Sequence, residues 1–265
     1  MEEGQVIAGI QLGKLIGAGA TGVVHAGVVQ ATGQPVAVKI VRPHPGESAR
    51  LIERTLQEGR VGWAVRHPSV VRVYEWGMTN EGAAYIVMER LEGETLAERL
   101  VARGRLPADM VVSIARQVVR GLAAIHAQGG VHRDVKPENV FLCALPADRV
   151  KLLDLGIVHL GQGHPARLVR TSVGLVVGTL AYLAPEQARG AEIDARTDLY
   201  GLGATLYHAL AGHPPHPEGD VVDVLRRIAL QIAPPALPSD VPEPLRSLIG
   251  LLLSPSPDNR PADAG

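Results

Sequence analysis

The 265-residue chain changes character near residue 90, and this change constrains its fold more than any other feature. Residues 11–41 and 70–90 contain β-branched runs such as "PVAVKIV" and "AAYIVMER", joined by turn sequences such as "ATGQ" and "TNEG". Such runs are typical of antiparallel strands. One helical pattern, residues 47–65, lies between them, and helical patterns dominate after residue 94, apart from a short hairpin at "VFLCAL" and "VKLLDL". The sequence therefore predicts an α+β fold with a β-rich N-terminal part and a mainly helical C-terminal part.

Composition and charge exclude several classes of protein. The net charge of −1 gives no electrostatic reason to expect nucleic acid or an anionic membrane as a partner. The single cysteine, Cys143, excludes an internal disulfide and fits a reducing compartment. The N-terminus "MEEGQVIAG" lacks the basic region of a secretory signal, and no apolar run reaches the roughly 18–20 residues that span a bilayer. We therefore expect a cytoplasmic location and no membrane segment in this chain.

Three glycines, Gly17, Gly19 and Gly22 in "GAGATGVV", lie between the first two predicted strands. Glycines there let backbone amides approach a polyphosphate closely. A strand follows them, which excludes a Rossmann site, and no Gly-Lys-Ser/Thr sequence completes a Walker loop.

Lys39 lies inside the apolar strand "VAVKIV" and needs an anion if it is buried. Glu58, on the predicted helix, is the natural partner. The alternative is a lysine on an edge strand whose amine reaches water.

The segment "VHRDVKPENVFL" is far more specific, because five polar side chains are bracketed by apolar residues. "DLG" follows at Asp154, and then "GTLAYLAPE". In this order the motifs resemble the eukaryotic-type (Hanks-type) bacterial serine/threonine protein kinases over essentially the whole chain. The resemblance implies a bilobal fold with an N-terminal lobe of residues 1–88, a hinge at 89–93 and a C-terminal lobe at 94–265.

The resemblance also implies roles in transferring the γ-phosphate of ATP to serine or threonine hydroxyls of proteins. Gly17, Gly19 and Gly22 would cover the phosphates, and Lys39, held by Glu58, would bind them. Asp134 would accept or orient the hydroxyl proton, with Lys136 near the transferred phosphate. Asn139 and Asp154 would hold Mg²⁺ or Mn²⁺. The adenine pocket would comprise Ile16, Val24, Ala37, Met88, Glu89, Leu91 and Phe141, with a purely structural role as the alternative for Phe141.

Lys136, together with Thr179 before Ala-Pro-Glu, is similar to serine/threonine rather than tyrosine kinases. By the same resemblance, Glu186 is expected to pair with Arg260, and Asp198 to brace the loop that carries Asp134.

Regulation is expected at the segment between Asp154 and Glu186. Arg133 would meet a phosphate there, on Thr171 first and Ser172 second, whereas Thr179 would shape the substrate groove.

The helix that carries Glu58 contains Gly59 and Gly62, each costing about 1 kcal/mol relative to Ala. Leu155 also replaces the usual Phe after Asp154. We therefore expect a mobile or partly unwound helix, ordered by a partner or a homodimer, and a Gly62→Leu variant with raised basal activity.

Two alternatives to a protein kinase remain. A pseudokinase would bind ATP as a scaffold without transferring phosphate, although such chains usually lose the equivalents of Lys39, Asp134 or Asp154. A small-molecule kinase generally lacks the "GT…APE" segment. The chain also ends at "NRPADAG", where the family continues with another helix, so we expect an excised catalytic domain, with a longer, membrane-tethered protein as one alternative.

Overall fold

The structure is a computed structural model that describes residues 3–19, 22–42, 48–146, 149–154, 177–216 and 221–264. The N-terminal part is an antiparallel sheet of six strands in the order β1-β2-β3-β4-β6-β5. Its strands are β1 (Val6–Ile7), β2 (Ile10–Gly19), β3 (Gly22–Val29), β4 (Pro35–Val41), β5 (Val73–Met78) and β6 (Ala84–Glu89).

Strand β4 lies between β3 and β6, and its side chains alternate between the two faces of the sheet. Val36, Val38 and Ile40 point into a small apolar core with residues of β1, β2 and β6. Ala37 and Lys39 therefore share the opposite face. The alternation of one strand thus separates the core of the sheet from the face that carries the candidate site.

Helix α1 (Ser48–Ala64) packs on β5 and β6 and is continuous through both Gly59 and Gly62. The expectation of a partly unwound helix is therefore wrong, while its mobility and its ordering by a partner stay predictions. The reason is close packing: a Cβ atom at Gly59 would lie 2.5 Å from Cβ of Trp76, so only glycine lets β5 approach this closely. Burial of Val61 and Val65 further offsets the low helix propensity of the glycines.

The C-terminal part is mainly helical, as predicted. Its helices are α2 (Leu96–Arg103), α3 (Ala108–His126), α4 (Pro185–Arg189), α5 (Ala195–Ala211), α6 (Val221–Ala229) and α7 (Glu243–Leu252). The predicted hairpin is present as β8 (Val140–Cys143) and β9 (Val150–Leu152). A third strand, β7 (Gly93–Thr95), pairs with β8 and was missed, because "LEGET" carries no strand pattern.

One apolar core spans the C-terminal helices and reaches into the N-terminal part through Val61, Val65 and Val70. Backbone bonds add to this contact, since Leu152 N donates to Ser69 O at 2.8 Å and Val71 N donates to Leu152 O at 2.9 Å. The segment after α1 is therefore fixed to the strand that leads to Asp154. Among the helices of the described residues, none is both long and apolar enough to cross a membrane.

The packing of Gly59 predicts opposite effects for the same substitution at two helical glycines. Gly59→Ala should lower the free energy of unfolding by about 1–2 kcal/mol, because overpacking against Trp76 outweighs the gain in helix propensity. Gly250→Ala in α7, where a Cβ would meet nothing within 4 Å, should instead raise it by about 0.5–1 kcal/mol. Urea unfolding measures both, and equal stabilisation of the two variants would contradict the packing argument.

Candidate active site

A buried lysine joins three elements of the fold. Lys39 Nζ on β4 lies 2.8 Å from Oε1 of Glu58 on α1 and 2.9 Å from Oδ1 of Asp154, just beyond β9. Its side chain is only 7% exposed. The structure thus brings the predicted pair Lys39 and Glu58 together, and the alternative of a solvent-facing lysine on an edge strand is wrong.

Electrostatics favour the charged form of this lysine. Burial alone would lower the pKa of Lys39, but the carboxylates of Asp154 and Glu58 outweigh burial and raise it. Burial also raises the pKa of Glu58, although Lys39 opposes this. The raised pKa by itself would favour the neutral acid. We take the cluster as ionised, because the ammonium group has two carboxylates within hydrogen-bonding distance.

The loop before β8 is braced by Asp198 of α5, as the sequence predicted. Asp198 Oδ2 accepts a bond from His132 N at 2.8 Å, and Oδ1 accepts one from Arg133 N at 2.7 Å. These bonds hold Arg133 at φ 66°, a left-handed conformation that costs about 1–2 kcal/mol for such a residue. His132 Nε2 lies 2.9 Å from Leu153 O, which links the loop to the residue before Asp154.

Asp134 presents its carboxylate to solvent between two held neighbours. Lys136 Nζ lies 2.8 Å from Asp134 Oδ2, and Asn139 Nδ2 donates to Asp134 O and Oδ2 at 2.7 and 3.0 Å. The side chains of Asp134 and Asp154 are 42% and 49% exposed. Because the Asn139 amide group directs its N–H bonds to Asp134, its oxygen is the atom that remains for a cation.

The predicted nucleotide-binding residues lie on β2, β3, β4 and β6 of the sheet and on β8, apart from Leu91, which follows β6. Gly17 pairs with Val24, Val24 with Lys39, and Ala37 with Met88 across neighbouring strands. Gly22 must be glycine, because a Cβ there would lie 2.4 Å from Ile40 O. The pocket residues Ile16, Val24, Met88, Glu89, Leu91 and Phe141 are exposed or half-buried, Gly19 ends β2, and Ala37 is buried.

Sequence reasoning missed a second buried lysine, Lys151 on β9. Its Nζ lies 2.5 Å from Glu89 Oε1 and 3.3 Å from Val70 O, and the same carboxylate oxygen accepts Arg72 N at 2.7 Å. This ion pair ties the end of β6 to the C-terminal part. A lysine inside the apolar run "VKLLDL" is the same signal that identified Lys39, and could have revealed it.

Glu186 and Arg260 form the expected buried ion pair, with Arg260 Nη1 2.7 Å and Nη2 3.0 Å from the two carboxylate oxygens. Burial would raise the pKa of Glu186, but Arg260 outweighs it and the pKa is lowered. The pair joins α4 to the end of the chain, so its role here is structural.

The structure describes two of the four predicted regulatory residues, Arg133 and Thr179. Thr171, Ser172 and Leu155 lie outside the described residues, and Thr179 belongs to the 3-10 helix Val177–Tyr182. Arg133 is described, and its Nε is buried without a hydrogen-bond partner among the described residues.

A buried lysine paired with Asp154, together with a braced loop that presents the exposed carboxylate of Asp134, defines the class of the molecule as a kinase-type phosphotransfer domain. Comparison with family models agrees: the protein kinase domain model matches residues 10–264. The chain belongs to the protein kinase domain family, and the predicted bilobal α+β fold is confirmed.

Curated relatives are bacterial serine/threonine protein kinases, which confirms the predicted resemblance. The chain is 40% identical to Serine/threonine-protein kinase pkn2 of Myxococcus xanthus over 76% of its length, and 36% identical to PknA of Mycobacterium tuberculosis over 96%. It is 38% identical to PknL of Mycobacterium tuberculosis over 86%. These matches cover 24%, 58% and 53% of the relatives, so the chain spans no more than about three fifths of the relatives it matches.

The pair of Lys151 and Glu89 predicts strongly unequal effects of single and double substitution. Lys151→Met should lower the free energy of unfolding by about 3–5 kcal/mol, because it leaves the carboxylate of Glu89 buried without a cation. Lys151→Met/Glu89→Gln should recover much of this loss, since glutamine still offers an acceptor to Arg72 N. Urea unfolding of both variants checks this. Equal destabilisation of the single and double variants would contradict a buried charge pair.

Proposed function

We propose that this chain is the catalytic domain of a serine/threonine protein kinase that transfers the γ-phosphate of ATP to hydroxyl groups of protein substrates. One observation carries the proposal: the exposed carboxylate of Asp134 is held by Lys136 and Asn139, on a loop tied to Asp154 and Lys39. The names of the relatives support the choice of serine and threonine as acceptors.

In this mechanism each side chain positions or neutralises rather than forming covalent bonds. Asp134 accepts a hydrogen bond from the substrate hydroxyl and orients it for attack. Lys136, already beside Asp134, and Lys39 offer positive charge to the transferred and the remaining phosphates. The glycines at positions 17, 19 and 22 let the backbone approach those phosphates.

The donor set fits a divalent cation. Asp154 offers a half-exposed carboxylate and Asn139 an amide oxygen, and such oxygen ligands suit Mg²⁺ and also Mn²⁺. When bound, the cation neutralises charge on the phosphates of ATP. We propose Mg²⁺ as the usual metal, since Mg²⁺ is commonly held by one or two protein ligands together with phosphates.

Regulation by phosphate is part of the proposal. Burial lowers the pKa of the Arg133 guanidinium, Asp198 opposes this, and Arg54 of α1 lowers it further. Two cations are thus close enough to repel each other, and a phosphate on the segment after Asp154 would relieve this. Thr171 and Ser172 are the proposed sites, and a homodimer is the proposed partner for their modification.

A pseudokinase scaffold remains the second candidate. Lys39, Asp134 and Asp154 are all present, and Lys39 pairs with Asp154. This disfavours a scaffold, because a scaffold has no need of the exposed carboxylate at Asp134.

Transfer of radiolabelled phosphate from ATP to a general protein substrate tests the enzymatic proposal. Asp134→Asn should lower kcat by about 10²–10⁴, because the hydroxyl loses its acceptor. Asp109→Asn, the same change at the start of α3, should leave kcat unchanged. Transfer by the unmodified chain no faster than by Asp134→Asn would favour the scaffold.

Autophosphorylation is tested by mass spectrometry of the chain after incubation with ATP and by the rate of a double variant. Thr171→Ala/Ser172→Ala should lower activity by about tenfold or more, because Arg133 then lacks its phosphate. Ser113→Ala, an exposed serine of α3, is the control. Full activity of the double variant would refute the assigned sites.

A further inference from the structure

A cavity of about 400 Å³ lies outside the candidate active site. It opens between the segment that joins α1 to β5, helix α3 and the hairpin of β8 and β9. Its lining residues are His67, Pro68, Ser69, Gln117, Arg120, Pro146 and Arg149. None of the residues assigned to catalysis or to nucleotide binding belongs to this set.

Among the described residues, the lining carries two arginines and a histidine and no carboxylate. Arg120 and Arg149 are exposed, and neither forms an ion pair with a described residue. Two guanidinium groups beside one cavity, with no carboxylate among its described lining residues, favour a negatively charged ligand.

His67 adds a neutral donor to the two arginines. Ser69 N donates to His67 Nδ1 at 3.1 Å, so the neutral ring carries its proton on Nε2. Burial lowers the pKa of His67, and the charges of Arg120 and Lys151 lower it further. His67 therefore stays neutral near pH 7 and senses the positive field of its surroundings.

We propose that this cavity binds a phosphate monoester, such as the side chain of a phosphorylated serine or threonine. Guanidinium forks match phosphate oxygens in pairs, and two guanidinium groups at one cavity match a dianion better than a single carboxylate. A cavity of this size has room for the phosphate and the side chain that carries it.

The position of the cavity gives such a ligand a structural consequence. Ser69 O accepts Leu152 N, so the wall of the cavity is bonded to the strand that leads to Asp154. A phosphate that contacts His67 and Arg149 together bridges the segment after α1 and the hairpin. The proposal concerns binding alone and holds whether or not the chain transfers phosphate.

The titration of His67 reports on this cavity separately from any phosphate at Lys39 or Lys136. We would follow the His67 ring by NMR while adding inorganic phosphate, O-phosphoserine or serine at constant ionic strength. A bound dianion should raise the pKa of His67 against the field of Arg120 and Lys151, with a saturable response to O-phosphoserine and none to serine. The neighbouring Asp148 lies outside the described residues.

Charge-matched variants complete the test. Arg120→Gln and Arg149→Gln should each weaken O-phosphoserine binding by about tenfold or more, because each removes a charge-assisted contact. Arg116→Gln, on the same helix but outside the lining, should not change it, and thermal melting confirms that all three fold. A response without saturation, a response to inorganic phosphate alone, or equal weakening by Arg116→Gln would overturn the proposal.

Discussion

The ion cluster of Lys39, Glu58 and Asp154 is the interaction on which the rest of the site depends. An ammonium group buried on a central strand is costly unless carboxylates surround it, and here one comes from α1 and the other from the end of β9. The cluster therefore requires the sheet, the helix and the C-terminal part to meet at one point. The same charges that stabilise this meeting are the charges that phosphate and a divalent cation would use.

Contacts between residues that take no part in the reaction hold the sheet, α1 and the C-terminal part at that point. Helix α1 lies close to β5 because Gly59 leaves room for Trp76. Val61 in its last turn and Val65 directly after it enter the C-terminal core. On the other side, Asp198 holds the loop of Asp134 in a left-handed turn at Arg133. Lys151 and Glu89 add a second buried charge pair where the sheet joins the C-terminal part. Preorganised charges of this kind are what phosphoryl transfer requires.

Much of this arrangement could be predicted from local patterns. β-branched runs identified the strands, and the pairing of Glu186 with Arg260 followed from the family resemblance. The remainder depends on contacts between distant segments that a single sequence does not encode locally. The low helix propensity of Gly59 can be read from the sequence, and it indicated a weak helix. The close approach of Trp76 cannot be read from the sequence. Strand β7 exists only because β8 offers it a pairing edge, and the partner of Lys151 lies 62 residues away.

A double-mutant cycle on the cluster tests most directly whether Lys39 and Glu58 act as one electrostatic unit. Lys39→Met, Glu58→Gln and the double variant would be compared by their free energies of unfolding in urea, with the unmodified chain as reference. A coupling energy of about 1–3 kcal/mol is predicted, because Lys39→Met leaves the buried Glu58 without its cation, and Glu58→Gln removes one of the two carboxylates that face Lys39. Additive effects, with coupling below about 0.5 kcal/mol, would contradict a cluster that organises the site.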